Sequence, residues 1–451
     1  MSRTPLRRAA IVGTGHRAQT FTRSLAARPD HLVAALCDPS PTRMAFHNRL
    51  LTEAGEPTAT QWEPDRFAEL LAKEDIDEVV VTTVDAEHDR YIVPALQAGC
   101  RVVTEKPMTV DAARCARILD TVRDTGNSLT VAFNYRFNPV HEKARELLAD
   151  GAIGEILSVH FEWLLDVRHG ADYFRRWHRE KDRSGGLMVH KSSHHFDLVN
   201  WWLADEPSEV FGYGRLAFYG PEAGERHGLC RDYDRAHGAD RAADDPFALD
   251  LAANDTLRAL YLDAEGDDGY VRDRNVFGGP VTIEDDMSVL VRYTKGATMT
   301  YHLTAYSPWE GYRVMFNGSA GRLELEVEES RWQRPTTRIG SDSGALHGDT
   351  AAEHAGGARL TLRPLWRPPV DVPLVTAHEA HGGGDPRMLD ALFGPDGAEP
   401  VAHPTATERD GALALAVGLA ANRCFETGRP VAVRELIPGL SEGPDGQVQA
   451  R

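Results

Sequence analysis

Between Gly185 and Trp202 the chain reads Gly-Gly-Leu-Met-Val-His-Lys-Ser-Ser-His-His-Phe-Asp-Leu-Val-Asn-Trp-Trp. At 3.6 residues per turn, His190, His194, Asp197 and Trp201 share one helix face, and Met188, Phe196, Val199 and Leu203 lie on another. The apolar face would anchor the helix in a core, and the polar one would present imidazoles and a carboxylate able to move protons near neutral pH. A core helix whose histidines bond backbone carbonyls would read the same way. Imidazoles at i and i+4 can also chelate a metal, but no Glu follows in the H-E-x-x-H manner and no third ligand is identifiable, so none is expected. His378-Glu-Ala-His381-Gly-Gly-Gly-Asp385 has a similar look. Its glycine run argues instead for a loop before a helix over 386–393, from which His381 and Asp385 could approach a substrate.

A second concentration of chemistry lies near the start. A short apolar strand, Arg8–Val12, runs into Gly13-Thr14-Gly15-His16-Arg17-Ala18 and then a helical pattern. This is the G-x-G-x-x-A form of a dinucleotide loop: Gly13 for the turn, Gly15 for close approach of a pyrophosphate, Ala18 for helix packing on the strand. A second strand, 32–37, ends in Asp38, placed to bond a ribose hydroxyl and repel a 2′-phosphate, which favours NAD over NADP. Asp38 would also suit a plain Asp-Pro-Ser-Pro turn. Strands and helices then alternate to residue 132, which predicts a doubly wound parallel sheet. Glu105-Lys106-Pro107 falls at the C-terminal end of one strand. There Lys106 would point into the cofactor crevice, with desolvation lowering its pKa toward a working range; on an ordinary loop it would be a solvated charge.

Composition narrows the field. With 451 residues the chain should form two domains. A formal charge of −18 would repel a polyphosphate backbone, so nucleic acid is not an expected partner. The five cysteines are scattered and never paired as C-x-x-C, as expected for reduced thiols in the cytoplasm. The apolar run after Arg7 and Arg8 is too short for an export signal, and no window is long enough for a membrane span.

Taken together, the Gly13–Ala18 loop, Asp38, the Thr83…His88 segment after a strand, Glu105-Lys106-Pro107 and the helix with His194 and Asp197 resemble the Gfo/Idh/MocA oxidoreductase family, that of glucose-fructose oxidoreductase and inositol dehydrogenase. The resemblance covers nearly the whole chain. It implies a nicotinamide-dependent sugar or cyclitol enzyme: an N-terminal Rossmann domain over 1–133, and over 134–438 a C-terminal α/β domain on an open, mostly antiparallel sheet. It adds Thr14, His16, Arg17, Thr83, His88, Glu105 and Lys106 to the cofactor-binding residues, and assembly as a dimer or tetramer through that sheet. It also implies Asp-x-x-x-His on the helix, joining Lys106 at the reacting hydroxyl. Here His194 matches the histidine, but His190 stands where the aspartate is expected, which removes an anionic partner. Lys106 and His194 are the expected catalytic pair, with His190 in support.

In the second domain, the junction Asn134-Tyr135-Arg136 is expected near the nicotinamide or as a plain hinge. Arg168, Tyr173, Arg175, Arg176, Trp177 and His178 are the types that bond hydroxyls and stack on sugar faces, and would equally suit a basic surface loop. With Tyr135, Arg136, His190, Lys191 and His194, the residues Arg168, Tyr173 and Trp177 form the expected substrate site, and Trp309 and Tyr312 a second wall or a packing contact. Residues 220–280 read as an irregular insertion with a short helix near 255–261, whose Tyr270, Arg272 and Asn275 could reach the substrate. Paired strands over 287–327 joined by Thr294-Lys-Gly296 and Gly318-Ser-Ala-Gly321 predict antiparallel pairing. Thr336–Gly357 reads as a mobile loop, Thr407–Glu426 as an amphipathic helix stopped by Gly428, and residues from 439 as a disordered tail. The expected activity is reversible oxidation of a secondary alcohol on a sugar, glycoside or cyclitol. Redox-assisted glycoside cleavage or epimerisation, a non-catalytic sensor of NAD or sugar, and a metal hydrolase are its rivals.

Overall fold

Short, fully buried strands separated by helices build the first sheet, in the computed structural model that describes residues 6–335, 356–375, 383–394, 405–437 and 439–440. Residues 336–355 of the expected loop over 336–357, His378, His381 and the expected tail from 439 beyond residue 440 lie outside these residues. Strands β1 (Arg7–Val12), β2 (His31–Cys37), β3 (Thr60–Trp62), β4 (Glu78–Val81), β5 (Arg101–Thr104) and β6 (Leu129–Val131) pair in parallel, in the order β6-β5-β4-β1-β2-β3. Strands such as β4 have no exposed face because helices cover both sides of the sheet. The order reverses between β1 and β4, so a crevice opens at the C-terminal ends of the strands. Those ends carry Gly13, Asp38, Thr83 and Lys106 in turn.

The second sheet comprises β7 (Ile156–Asp166), β8 (Pro207–Arg215), β9 (Asp286–Tyr293), β10 (Thr298–Ser307), β11 (Glu310–Gly318), β12 (Gly321–Ser330), β13 (Ala358–Pro364) and β14 (Val370–Val372). Every pair is antiparallel except β7 with β10. Alternate residues of β9 are buried and exposed, so one face is covered and the other open. The covered face packs under the helices Ser193–Leu203 and Glu408–Thr427; the latter starts with a Thr407/Asp410 capping box and stops at Gly428 with φ +63°. Strands β8, β13 and β14 carry no strong sequence signal and were not anticipated.

The C-terminal part of the chain returns to the first sheet. Strand β15 (Ala406–Thr407) pairs antiparallel with β6, and β16 (Val431–Ala432) closes on β8. Met388, Leu389, Leu392 and Phe393 of the helix Gly384–Phe393 complete a core cluster with Ile11, Phe21 and Val103.

The segment Gly185–Trp202 is not one helix. Gly185 and Gly186, at φ +70° and +75°, turn the chain into a single turn, Leu187–His190, and the helix proper begins at Ser193. The break has a local cause. The His190 carbonyl accepts from Lys106 Nζ at 3.0 Å, and His194 N bonds Lys191 O instead of continuing the ladder to residue 190. The expected stripe is therefore split. Asp197 forms a buried bidentate pair with Arg136 at 2.6 and 2.7 Å, and Trp201 lies under Arg136 and Arg145.

The helix Val167–Arg175 crosses β10 so closely that a Cβ on Gly170 would lie 1.7 Å from the Ala305 carbonyl oxygen. Gly170→Ala should therefore cost about 3 kcal/mol, the upper end for overpacking against backbone. An unchanged urea midpoint would show that the helix can slide off the strand.

Candidate active site

At the first crevice the loop after β1 is fixed by its own chemistry. Gly13 adopts φ +83°, and a Cβ there would lie 2.7 Å from the Thr83 backbone. Thr14 N donates to Asp38 Oδ2 at 2.7 Å, while Asp38 Oδ1 accepts from Ser40 N and from Arg43 Nε. Ala18 is fully buried against the sheet. Arg17 bonds Glu105 at 2.5 Å and forks onto Asp385 at 2.8 and 2.9 Å, and Asn134 donates to the same Asp385 carboxylate. These four side chains tie the glycine loop to the Lys106 loop and to the helix Gly384–Phe393. His88 bridges the carbonyls of Pro107 and Thr83, bracing the far side.

The inserted segment reaches this loop. Tyr261, in a π-helical turn (Arg258–Leu262), places its hydroxyl 3.1 Å from His16 N and 3.8 Å from where a Gly15 Cβ would be. Asp267 accepts from Ser40 Oγ and Thr42 N, and Asp268 pairs with Arg43. Burial, with help from Arg272 and Arg176, pushes His16 down to about 4, so its imidazole is neutral. The residues fit a dinucleotide: Gly15 has no side chain in the way of a pyrophosphate, and Asp38 lies at the ribose end.

Lys106 stands beside this loop. Its Nζ bonds the His190 carbonyl at 3.0 Å and lies 3.3 Å from His190 Nε2, and His190 Nδ1 is 2.5 Å from Asp85 Oδ2. Asp85, just beyond β4, was not anticipated; its only signal is its place in the Thr83…His88 segment. The carboxylate that the resemblance puts at position 190 is thus supplied from the first domain, through an imidazole long enough to reach it. Burial pushes Lys106 down to about 8, against the opposing pull of Asp85 and Glu105. Burial also drives the Asp85 carboxyl well up and His190 well down. The chain can then carry its charge in two ways: Lys106 ammonium with Asp85 carboxylate, or both neutral after two protons shift along the His190 ring.

Aromatic rings box this chain. Tyr173, Trp177 and His178 meet the His190 ring edge-on at 5.6, 5.9 and 4.1 Å. His194 stacks on Tyr135 at 4.4 Å and meets Phe133 edge-on; Lys106 directs its hydrogen bonds to His190, not to His194. Lys191 donates to Tyr135 Oη and lies over the Trp163 ring. Other expected contacts are placed elsewhere. Arg136 is held by Asp197; Arg168 bonds the Arg334 carbonyl at the surface; Tyr312 stacks on Trp163 and bonds His141; Trp309 packs under Arg313. Among the described residues no group of three metal-binding side chains occurs, and no helix is long and apolar enough to cross a membrane.

A dinucleotide loop at a sheet reversal, facing a desolvated lysine, defines an oxidoreductase of the Rossmann type. Comparison with known proteins extends this. Residues 7–133 match the oxidoreductase family's NAD-binding Rossmann fold, and residues 145–433 match its C-terminal alpha/beta domain. The chain belongs to the Gfo/Idh/MocA oxidoreductase family. It is 34% identical to YteT, named as an oxidoreductase of Bacillus subtilis, over 90% of this chain and 92% of that one. It is 26% identical to an inositol 2-dehydrogenase of Rhizobium meliloti, over 71% and 90%. The fold matches an Agrobacterium radiobacter oxidoreductase solved with NAD+, L-tartaric acid and magnesium, at TM-score 0.60 and 15% identity over 95% and 99% of the chains.

If Asp85 is the proton sink behind Lys106, Asp85→Asn should lower turnover about 100-fold or more, because an amide can accept from His190 but cannot take its proton. The apparent pKa of Lys106 should also fall, since the Asp85 charge raises it. Unaltered kcat and pH profile in this variant would reduce Asp85 to a structural group.

Proposed function

We propose that this protein is an NAD-dependent oxidoreductase acting on a secondary hydroxyl of a sugar, glycoside or cyclitol. The observation that carries the reading is the Lys106–His190–Asp85 chain, with the Lys106 amine at about 8, beside the dinucleotide loop. Lys106 as the free amine takes the hydroxyl proton, and His190 passes charge back toward Asp85. Bound nicotinamide would supply the acceptor for the carbinol hydride. Tyr173, Trp177, Tyr135 and His194 present rings and polar edges of the kind that hold a polyol. Arg43, clamped between Asp38 and Asp268, is spent on carboxylates and not offered to a 2′-phosphate, which supports NAD over NADP. The inositol dehydrogenase relative supports the polyol class. Exposed Tyr213 and Leu290 on the open sheet face support assembly of copies through that face.

Lys106→Ala should abolish oxidation of a responsive sugar or cyclitol while NADH still binds; undiminished turnover would overturn the assignment. In the wild type, kcat/KM for oxidation should rise with pH through about 8, because the neutral amine is the base, and the reduction direction should fall across the same range. A flat profile between pH 7 and 9 would contradict this role.

A second reading is internal recycling of the cofactor, as in epimerisation or redox-assisted glycoside cleavage. It is favoured by Tyr261, Asp267 and Asp268 closing over the dinucleotide loop, which would slow exchange. Stoichiometric NADH accumulation with product selects the dehydrogenase; product without net NADH selects recycling.

A further inference from the structure

Three arginines converge on one carboxylate beside the site. Asp172 meets Arg272 Nη2 at 2.6 Å, Arg176 Nη2 at 2.9 Å and Arg175 Nη1 at 3.7 Å. Asp172 and Arg272 are 1% and 2% exposed, Arg175 is buried, and the Arg176 side chain is 14% exposed. Arg175 also donates to the Phe247 carbonyl. Arg272 Nε and Nη1 and Arg176 Nε are buried with no hydrogen-bond partner. One carboxylate would suffice to pin one arginine in place. Two surplus charges with unmet N–H groups are costly unless another anion shares them.

Position indicates what that anion meets. The Arg272 guanidinium lies 5.7 Å from the centre of the Tyr261 ring, whose hydroxyl sits on the His16 amide of the glycine loop. The Arg176 guanidinium lies 5.7 Å from the centre of the Tyr173 ring, which in turn packs against His190. The surplus charge therefore spans the gap between the dinucleotide loop and the Lys106 chain. Burial, with both arginines adding to it, depresses the His16 and His178 imidazoles, so these histidines do not add to the positive charge.

We propose that Arg272 and Arg176 form a seat for an oxyanion, using the forked geometry by which guanidinium groups hold phosphate and carboxylate. Two sources share that chemistry: the pyrophosphate of the dinucleotide, and the carboxylate of an acidic sugar whose hydroxyl reaches Lys106. The second source rests on the reading under Proposed function; occupation of the seat does not, because it is measured as binding without turnover.

The test is calorimetric titration of the full-length wild type, Arg272→Gln, Arg272→Lys and Arg176→Gln. The probes are NADH, inorganic pyrophosphate and, with saturating NAD, D-glucuronate against D-glucose. Loss of a charge-assisted fork should weaken the seated ligand about 10- to 100-fold, with Arg272→Lys retaining part of the affinity. Weakening confined to NADH and pyrophosphate assigns the seat to the cofactor, and weakening confined to glucuronate assigns it to the substrate. The proposal is overturned if Arg176→Gln and whichever Arg272 variants fold bind every probe as the wild type does. It is likewise overturned if the wild type neither binds pyrophosphate nor prefers glucuronate to glucose. A Lys106→Ala variant that keeps full turnover, with these titrations unchanged, would sink the oxidoreductase reading and leave the seat intact.

Discussion

The desolvated amine of Lys106 is the constraint on which the rest of the site depends. Held by the His190 carbonyl and facing the His190 ring, it cannot remain a comfortable ammonium, and its pKa falls toward the neutral range. Each surrounding feature either removes water from that nitrogen or gives its proton a place to go. Arg17 and Glu105 fix the loop that carries it, and His88 braces the loop from behind. The helix break after His190 frees the carbonyl that receives it.

Two distant parts of the chain make this possible. The helix Gly384–Phe393 supplies Asp385, which takes the fork of Arg17 and the amide of Asn134, so the C-terminal region sets the position of the glycine loop. The inserted segment covers the same loop from the other side with Tyr261 and anchors on the Ser40–Arg43 turn. The dinucleotide crevice is therefore bounded by residues separated by more than 200 positions in sequence. Its walls are formed by both sheets' attachments, not by the first sheet alone.

Much of this was legible in the sequence, and what was not has physical causes. The parallel sheet, the Gly13 turn, Asp38 at the end of β2, Lys106 at the end of β5 and the antiparallel hairpins follow from periodicity and turn chemistry. The stripe through His190, His194, Asp197 and Trp201 did not survive, because a lysine 84 residues upstream takes the His190 carbonyl and interrupts the helix. Asp197 and Arg136, both plausible site residues by type, satisfy each other in the core. Asp85 was missed because a lone aspartate after a strand is indistinguishable from a turn residue until the fold brings His190 against it. The substitution of histidine at 190 then ceases to be a loss: the carboxylate is displaced by the width of an imidazole, not removed.

The central claim concerns the protonation of one nitrogen, and it can be read without knowing the substrate. Heteronuclear NMR of the Lys106 Cε–Hε group, assigned with Lys106→Arg, titrated in the NAD-saturated protein, reports its pKa directly. A value near 8 is predicted. A value near the ordinary lysine figure of about 10.4 would mean that Lys106 stays a solvated ammonium and cannot serve as the base.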